Sequence, residues 1–406
     1  MREAWSRTRK DGALGVDEET AEEFSRNLDE RLEDLLNRAL SGRYQAPPVR
    51  RGYVPKGKGG KRPIGIPTLE DKVLQRAVVM LLEAIYEEDF HDFSYGFRTG
   101  RSQHQALEAL WKGIQSLGNC WVLDADIRKY FDRIDHGQLR KILDRRVRDG
   151  VIRRLIDKWL KAGVWEEGKR YVPESGTPQG GVISPLLSNI YLHEVLDDWF
   201  MTSVQPRMKG RTRIYRFADD FLLVFASRED AQRVLEVLPK RLGRFGLEMN
   251  LEKTRLIHFH KPREEGPRGG KKVSSEVFQF LGFTHYWGKS RRGRWVVRRR
   301  TAGDRLSRSL RGIADWCRRH RHDPVRDQHR KLSQKMVGHY NYYGITGNWD
   351  RLSQYLYEVS RIWRKWLNRR TRPGTMPWKR FCQLLEHYPL PAVKIYHSIY
   401  TAKPSA

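Results

Sequence analysis

The chain has 406 residues, 39% of them hydrophobic, which is enough for two or three buried cores and excludes a disordered chain. Lys and Arg number 78 against 49 Asp and Glu, a formal net charge of +29, so polyanions are attracted and their binding is salt-sensitive. Three scattered cysteines (Cys120, Cys317, Cys382) give neither a disulfide framework nor a zinc spacing, the N-terminus lacks a signal peptide's apolar core, and the longest apolar run, around Val78–Ile85, is too short for a bilayer. The expectation is a cytoplasmic, bacterial-type intracellular protein with no membrane partner.

In chain order, Ala21–Leu40 reads as a charged amphipathic helix, with Phe24, Leu28, Leu32, Leu35 and Leu36 at helical spacing. Pro47–Pro67, rich in Pro, Gly and Lys, reads as a loop or a β-hairpin with a glycine tip. Alternating helices and strands follow to about Tyr286. Within them, Cys120-Trp-Val-Leu-Asp-Ala-Asp126 starts as a strand and places Asp126 at its end. Gly176-Thr-Pro-Gln-Gly-Gly-Val-Ile-Ser-Pro185 reads as a turn into an amphipathic helix, Leu186–Trp199. Ile214–Phe225 reads as a hairpin with Asp219-Asp220 at its turn. Gly288–Arg300 looks like a basic join, and helical periodicity resumes from Ala302. The segment Lys289–Ala406 holds 28 Lys and Arg against 7 Asp and Glu, so most of the surplus charge lies there. Its arginines and six tryptophans suit phosphate contact and base stacking, although each Trp alone reads as core.

The Asp219-Asp220 pair alone is equally a turn choice, because Asp favours turns. Asp126 shifts that balance. Carboxylates brought together repel unless a cation holds them ionised, and an all-oxygen donor set points to Mg²⁺ or Mn²⁺. Two such ions suit nucleotidyl transfer. Asp124, two residues back, reads as a supporting acid. The Pro-Gln-Gly-Gly loop lets backbone approach a ligand closely.

These strings, in this order, resemble the group II intron-encoded reverse transcriptases and maturases. Tyr53-Val-Pro-Lys-Gly-Lys-Gly-Gly-Lys-Arg-Pro-Ile-Gly-Ile-Pro67 is similar to that family's fingers loop. Ser94-Tyr-Gly-Phe-Arg98, Gly176–Pro185 and the turn Phe278-Gln-Phe-Leu-Gly-Phe283 match as well, as do His339-Tyr-Asn-Tyr-Tyr-Gly344 and Pro389-Leu-Pro391. The resemblance implies an α+β right-hand polymerase, with fingers and an antiparallel palm, followed by an all-helical thumb or maturase domain. Its limits would be 1–45 for a short N-terminal extension, 46–287 for fingers and palm, and 288–406 for the basic thumb.

The resemblance also implies roles. Asp126, Asp219 and Asp220, with the Ile127 backbone carbonyl, would hold two Mg²⁺ (or Mn²⁺) ions, Asp220 in a supporting capacity. Phe131 would reject a 2′-hydroxyl. Lys56 and Arg62 would clamp the triphosphate, while Lys58 and Lys61 face solvent or template. Gln179 and Gly180 would pack on the nucleotide, and Lys253 would serve as a proton donor to pyrophosphate. The implied partners are an RNA template, a DNA primer, deoxynucleoside triphosphates and a group II intron RNA. Phe217 stands where the family usually has Tyr, an exchange that should spare activity. Nothing after the maturase-like domain resembles an endonuclease module. The competing expectations are an RNA-binding maturase with little synthesis, and a free-standing relative in DNA repair or phage defence.

Overall fold

The computed structural model describes residues 1–55, 60–172, 175–177, 180–262, 276–290, 292–370 and 376–398. The chain forms two compact units. One comprises Met1–Gly113 with Cys120–Ile257, the other Ile114–Asn119 with His258–Ala406.

The first unit opens with α1 (Arg2–Arg7), α2 (Ala21–Ser25) and α3 (Leu28–Leu40). Thr20 and Glu23 form a reciprocal capping box at the start of α2. The single helix expected over Ala21–Leu40 is instead two, because Asn27 leaves helical geometry (φ −126°, ψ 53°) and starts a new one. Phe24, Leu32 and Ala4 bury themselves against Leu69 and Val73 of α4 (Leu69–Tyr86). The N-terminal residues are thus packed onto the helix that follows the first hairpin. Thr68 caps α4 by accepting from the Asp71 N–H at 3.2 Å.

Two four-stranded sheets follow. The hairpin β1 (Val49–Pro55) and β2 (Lys61–Ile66) pairs from Arg50↔Ile66 to Pro55↔Lys61, as the glycine-tipped segment suggests. It is extended by β4 (Val164–Glu166) and β5 (Lys169–Tyr171) in the order β2-β1-β4-β5. The second sheet, ordered β6-β7-β3-β8, is built from β3 (Cys120–Ala125), β6 (Thr212–Phe217), β7 (Asp220–Phe225) and β8 (Arg255–Phe259). Phe221, Leu223 and Phe225 of β7 are fully buried, each contributing about 2 kcal/mol of apolar transfer. The helices α5 (Gln103–Leu117, of which Ile114–Leu117 fall in the second unit), α6 (His136–Leu143), α7 (Gly150–Lys161), α8 (Ser184–Leu192) and α9 (Arg228–Gly243) complete the unit. α8 corrects the amphipathic expectation. Every residue from Leu186 to Leu192 is buried, and the helix runs on through wider π-type turns to Val204.

The second unit begins with a sheet. The strands β9 (Phe278–Phe280), β10 (Phe283–Lys289) and β11 (Trp295–Thr301) pair in the order β11-β10-β9. Gly288–Arg300 is therefore largely hairpin, with Lys289 opposite Trp295 and Phe283 opposite Thr301, and the region after 288 is not all-helical. Helices α10 (Gly303–Arg319), α11 (Val325–Tyr343), α12 (Trp349–Leu367) and α13 (Trp378–His387) share a core of Leu306, Leu332, Met336, Tyr355, Trp363 and Phe381. The two C-terminal strings meet here. Residues 389–397 run along α11, where the Tyr340 hydroxyl donates to the Pro391 carbonyl at 3.3 Å and the Tyr396 N–H to the Gly344 carbonyl at 2.8 Å. No helix among the described residues is long and apolar enough to cross a membrane.

Candidate active site

β3 and β7 pair antiparallel from Trp121↔Phe225 to Ala125↔Phe221. One step beyond the last pair, Asp126 and Asp220 stand at the same level of the sheet. β6 and β7 pair from Thr212↔Phe225 to Phe217↔Asp220, which leaves Ala218 and Asp219 as a two-residue turn. Register alone therefore brings the three acids to one end of one sheet. Asp219 is half-buried and Asp220 exposed.

Ala218 sits at φ +57°, a left-handed conformation that costs a non-glycine residue roughly 1–2 kcal/mol. Two neighbours hold it there. The fully buried Arg216 donates from Nη1 to the Ala218 carbonyl at 3.1 Å, and Gly96 lies so close that a Cβ would stand 2.3 Å from the Ala218 nitrogen. That approach explains the glycine of the Ser94–Arg98 string. Arg216 is in turn paired with the buried Asp197, its Nε donating at 2.8 Å, and it donates to Asn189 at 3.0 Å. Asn189 donates to the Gly96 carbonyl at 2.7 Å, closing a ring behind the turn.

Past β3 the chain continues in a short ladder. The Asp126 carbonyl accepts from the Asn250 N–H at 2.7 Å, and the Arg128 N–H donates to the Glu248 carbonyl at 2.8 Å. These bonds flank the bridge Ile127↔Met249 and leave the Ile127 carbonyl outside the ladder. The Asp126 carboxylate accepts from Asn250 Nδ2 at 2.9 Å and from Lys253 Nζ at 3.3 Å. Asp124 carries an ion pair with Arg255 at 3.2 Å. Burial pushes the Asp219 carboxyl above the usual range, and the Asp126 charge adds to this while Arg62 and Arg216 pull it back. An acid whose ionisation is resisted by burial and by a like charge gains from a cation, and the donors are oxygens alone, which fits a hard divalent ion.

The nucleotide-side residues divide by position. Phe131 is half-buried in a 3₁₀ turn, Tyr130–Asp132, with its ring edge-on to Tyr130 at 5.2 Å. Its carbonyl accepts from the Thr177 N–H at 2.9 Å, so the Gly176 loop is docked on this turn. Gly180 has φ +117°, and a Cβ there would stand 2.4 Å from the Gly65 carbonyl of β2. The loop thus touches the strand that carries the exposed Arg62. Lys61 lies over the Tyr53 ring at 5.9 Å. Lys56, Lys58 and Gln179 fall outside the described residues.

Sequence reasoning missed several supports. The signal for Asn250 is weak, because only its fold partner Asp126, 124 residues away, gives it meaning. A buried polar chain also reaches the Gly176–Pro185 string. The Ile183 N–H donates to Gln75 Oε1 at 3.2 Å, Gln75 Nε2 donates to Asp71 at 3.0 Å, and Trp159 Nε1 donates to Asp71 at 2.6 Å. Burial pushes the Asp71 carboxyl up to about 6. The folded form therefore holds its proton better than the unfolded chain. That stability is present at low pH and is lost as pH rises from about 4 through about 6, a change of about 3 kcal/mol. Urea midpoints should show the wild type losing ground to Asp71→Asn across that window and no further change above it.

A family model described as reverse transcriptase (RNA-dependent DNA polymerase) matches residues 54–285, more than half of the chain. The chain belongs to the reverse transcriptase family. Its similarity extends to protein YkfC of Escherichia coli K12, at 37% identity over 282 residues, covering 61% of this chain and 72% of YkfC. It is 43% identical over 182 residues to the group II intron-encoded protein LtrA of Lactococcus lactis, covering 45% of this chain and 30% of LtrA. It is 30% identical over 272 residues to a Saccharomyces cerevisiae protein named putative COX1/OXI3 intron 1 protein, covering 55% of this chain and 32% of that one. The reverse transcriptase match thus runs from the end of β1 to the start of β10, while only about a third of each intron protein is aligned.

Proposed function

We propose that the chain is an RNA-directed DNA polymerase that extends a DNA primer on an RNA template, using two Mg²⁺ ions held by Asp126, Asp219, Asp220 and the Ile127 carbonyl. The observation that carries this reading is the strand register that sets Asp126 beside Asp220, the first residue of β7, and the adjoining turn residue Asp219. Ions bound there would stabilise the attacking 3′-oxygen and the leaving pyrophosphate of an in-line transfer. The chain's own groups supply the rest. Arg62, with Lys56, clamps the triphosphate by charge-assisted hydrogen bonds. Lys253, held at the Asp126 carboxylate, keeps a proton near the leaving group. Phe131 serves to reject a 2′-hydroxyl, and Gln179 with Gly180 packs on the nucleotide. The second unit, with Arg308, Arg311, Arg318 and Arg319 exposed along α10, tracks the duplex through its phosphates. The intron proteins among the relatives favour a group II intron RNA as the natural partner, whose splicing the protein would assist.

Extension of a DNA primer on an RNA template with Mg²⁺ and deoxynucleotides tests the polymerase reading. Product is expected, and its absence from a folded protein that still binds structured RNA would leave an RNA-binding maturase instead. Two variants test the nucleotide side. Phe131→Ala should raise ribonucleotide incorporation relative to deoxynucleotide by roughly tenfold or more, since losing one steric clash is worth about 1–3 kcal/mol. Gly180→Ala should cost roughly tenfold in kcat/KM for deoxynucleotides, because the methyl forces the loop off Gly65. Single-nucleotide extension kinetics read both.

A further inference from the structure

Outside the acids of the polymerase site, His91, His193 and Asp198 converge on one point of the first unit. One ligand atom from each lies within 4.8 Å of the other two. His91 Nε2 is 2.8 Å from Asp198 Oδ1, and His193 Nε2 is 3.5 Å from Asp198 Oδ2. We propose that this cluster is a binding site for a divalent transition-metal cation of the zinc class, with a structural role.

Four observations carry the proposal. The first is the helix distortion. In an α-helix, residues five apart point about 140° apart, so His193 and Asp198 would face different ways. They lie instead within the π-type turns His193–Asp198, whose wider winding sets residues five apart on one side. Such turns are rare and concentrate at functional sites. The second is the ring setting. His91 is stacked on Phe93 at 5.1 Å, and His193 meets Phe90 edge-on at 5.5 Å, which fixes both imidazoles before any ligand binds.

The third is an outer carboxylate. His193 Nδ1 is buried without a hydrogen-bond partner but faces Asp197 Oδ2 at 4.0 Å. A small inward shift on metal binding gives the carboxylate–histidine–metal arrangement that orients ligating imidazoles. The fourth is charge and access. Asp197 is matched by Arg216, which leaves Asp198 as the uncompensated anion facing two imidazoles. His91 and Asp198 remain partly open, at 29% and 42% side-chain exposure, so a cation can enter. Two imidazoles and one carboxylate, with room for water in the remaining position, suit zinc and its neighbours rather than Mg²⁺. The consequence reaches the polymerase centre. Asp197 holds Arg216, and Arg216 holds the Ala218 carbonyl beside Asp219, so a bound cation would brace the turn from behind.

The test is metal content and spectrum rather than synthesis. Purified full-length protein, free of any affinity tag, is loaded with Zn²⁺, dialysed against Mg²⁺ buffer and analysed by plasma mass spectrometry. A parallel sample is titrated with Co²⁺. About one Zn²⁺ per chain and visible Co²⁺ bands are expected. Both should vanish in His193→Gln and in His91→Ala, with at least a hundredfold loss of affinity, and both should survive in Asp219→Ala, which separates this site from the polymerase ions. His91→Ala changes a partly exposed side chain, and circular dichroism confirms that it is folded. Zinc content and Co²⁺ spectra that do not differ between the unmodified protein and folded His91→Ala would overturn the proposal.

Discussion

Asp219→Ala is expected to lose primer extension by on the order of a thousandfold or more while the protein stays as stable as before, or becomes slightly more so. The two halves of that result have one cause. The carboxylate is half-buried and lies near the Asp126 charge, so its ionisation is resisted in the folded state. A carboxyl raised in this way contributes stability only while protonated, and the contribution is lost as pH rises through its folded value. Once ionised, the side chain is therefore a burden on the fold, and its removal lightens it. The same carboxylate is a proposed ligand to ions that stabilise transition-state charge, an effect worth several kcal/mol, with each 1.36 kcal/mol counting tenfold in rate. Asp126→Ala should match it in activity but lose about 1 kcal/mol of stability, since Asn250 and Lys253 donate to that carboxylate. Asp220→Ala, at an exposed position, should lose less activity than either. Urea unfolding beside single-turnover extension measures all three. Near-normal synthesis by Asp219→Ala would remove the acid from the metal site.

What the amino-acid sequence discloses follows from how local the signal is. The β6–β7 hairpin is legible because two apolar, β-prone runs flank an acid pair, although the turn falls one residue earlier than expected, on Ala218 and Asp219, and the meeting with Asp126 is legible because an apolar strand leads straight into that acid. The break at Asn27 is not, since apolar spacing runs unbroken across it and only the backbone angles of one residue divide α2 from α3. β11 is hidden for a different reason. Arg298, Arg299 and Arg300 make the segment read as a charged linker, yet Arg299 is buried on the same strand as Val297 and Thr301, and Arg300 lies over the Tyr286 ring at 5.0 Å. Period-two alternation is present there but is carried by long cations that can bury their stems. The supports of the site are the least legible. Asp197 and Arg216 resemble ordinary surface charges in a chain with so many, and nothing short of the fold shows that both are fully enclosed.

That enclosed pair carries the other large effect. Asp197→Ala should lower the stability of the first unit by about 3–5 kcal/mol, because it strands a guanidinium with no exposure and no counter-ion. For a unit of this size that is on the order of 10 °C in melting temperature. Stability alone does not explain why the pair is placed there, since a buried ion pair is often replaceable by apolar residues at little cost. Positioning does. Arg216 donates to the Ala218 carbonyl and to Asn189, and Asn189 holds the Gly96 backbone against the turn. The double variant Asp197→Leu with Arg216→Met should therefore recover most of the melting temperature and little of the synthesis. In that protein no guanidinium holds Ala218 in its left-handed conformation, and Asp219 is free to leave the level of Asp126. Recovery of both stability and extension would assign the pair to folding alone, whereas recovery of stability without extension makes it the brace of the acid turn.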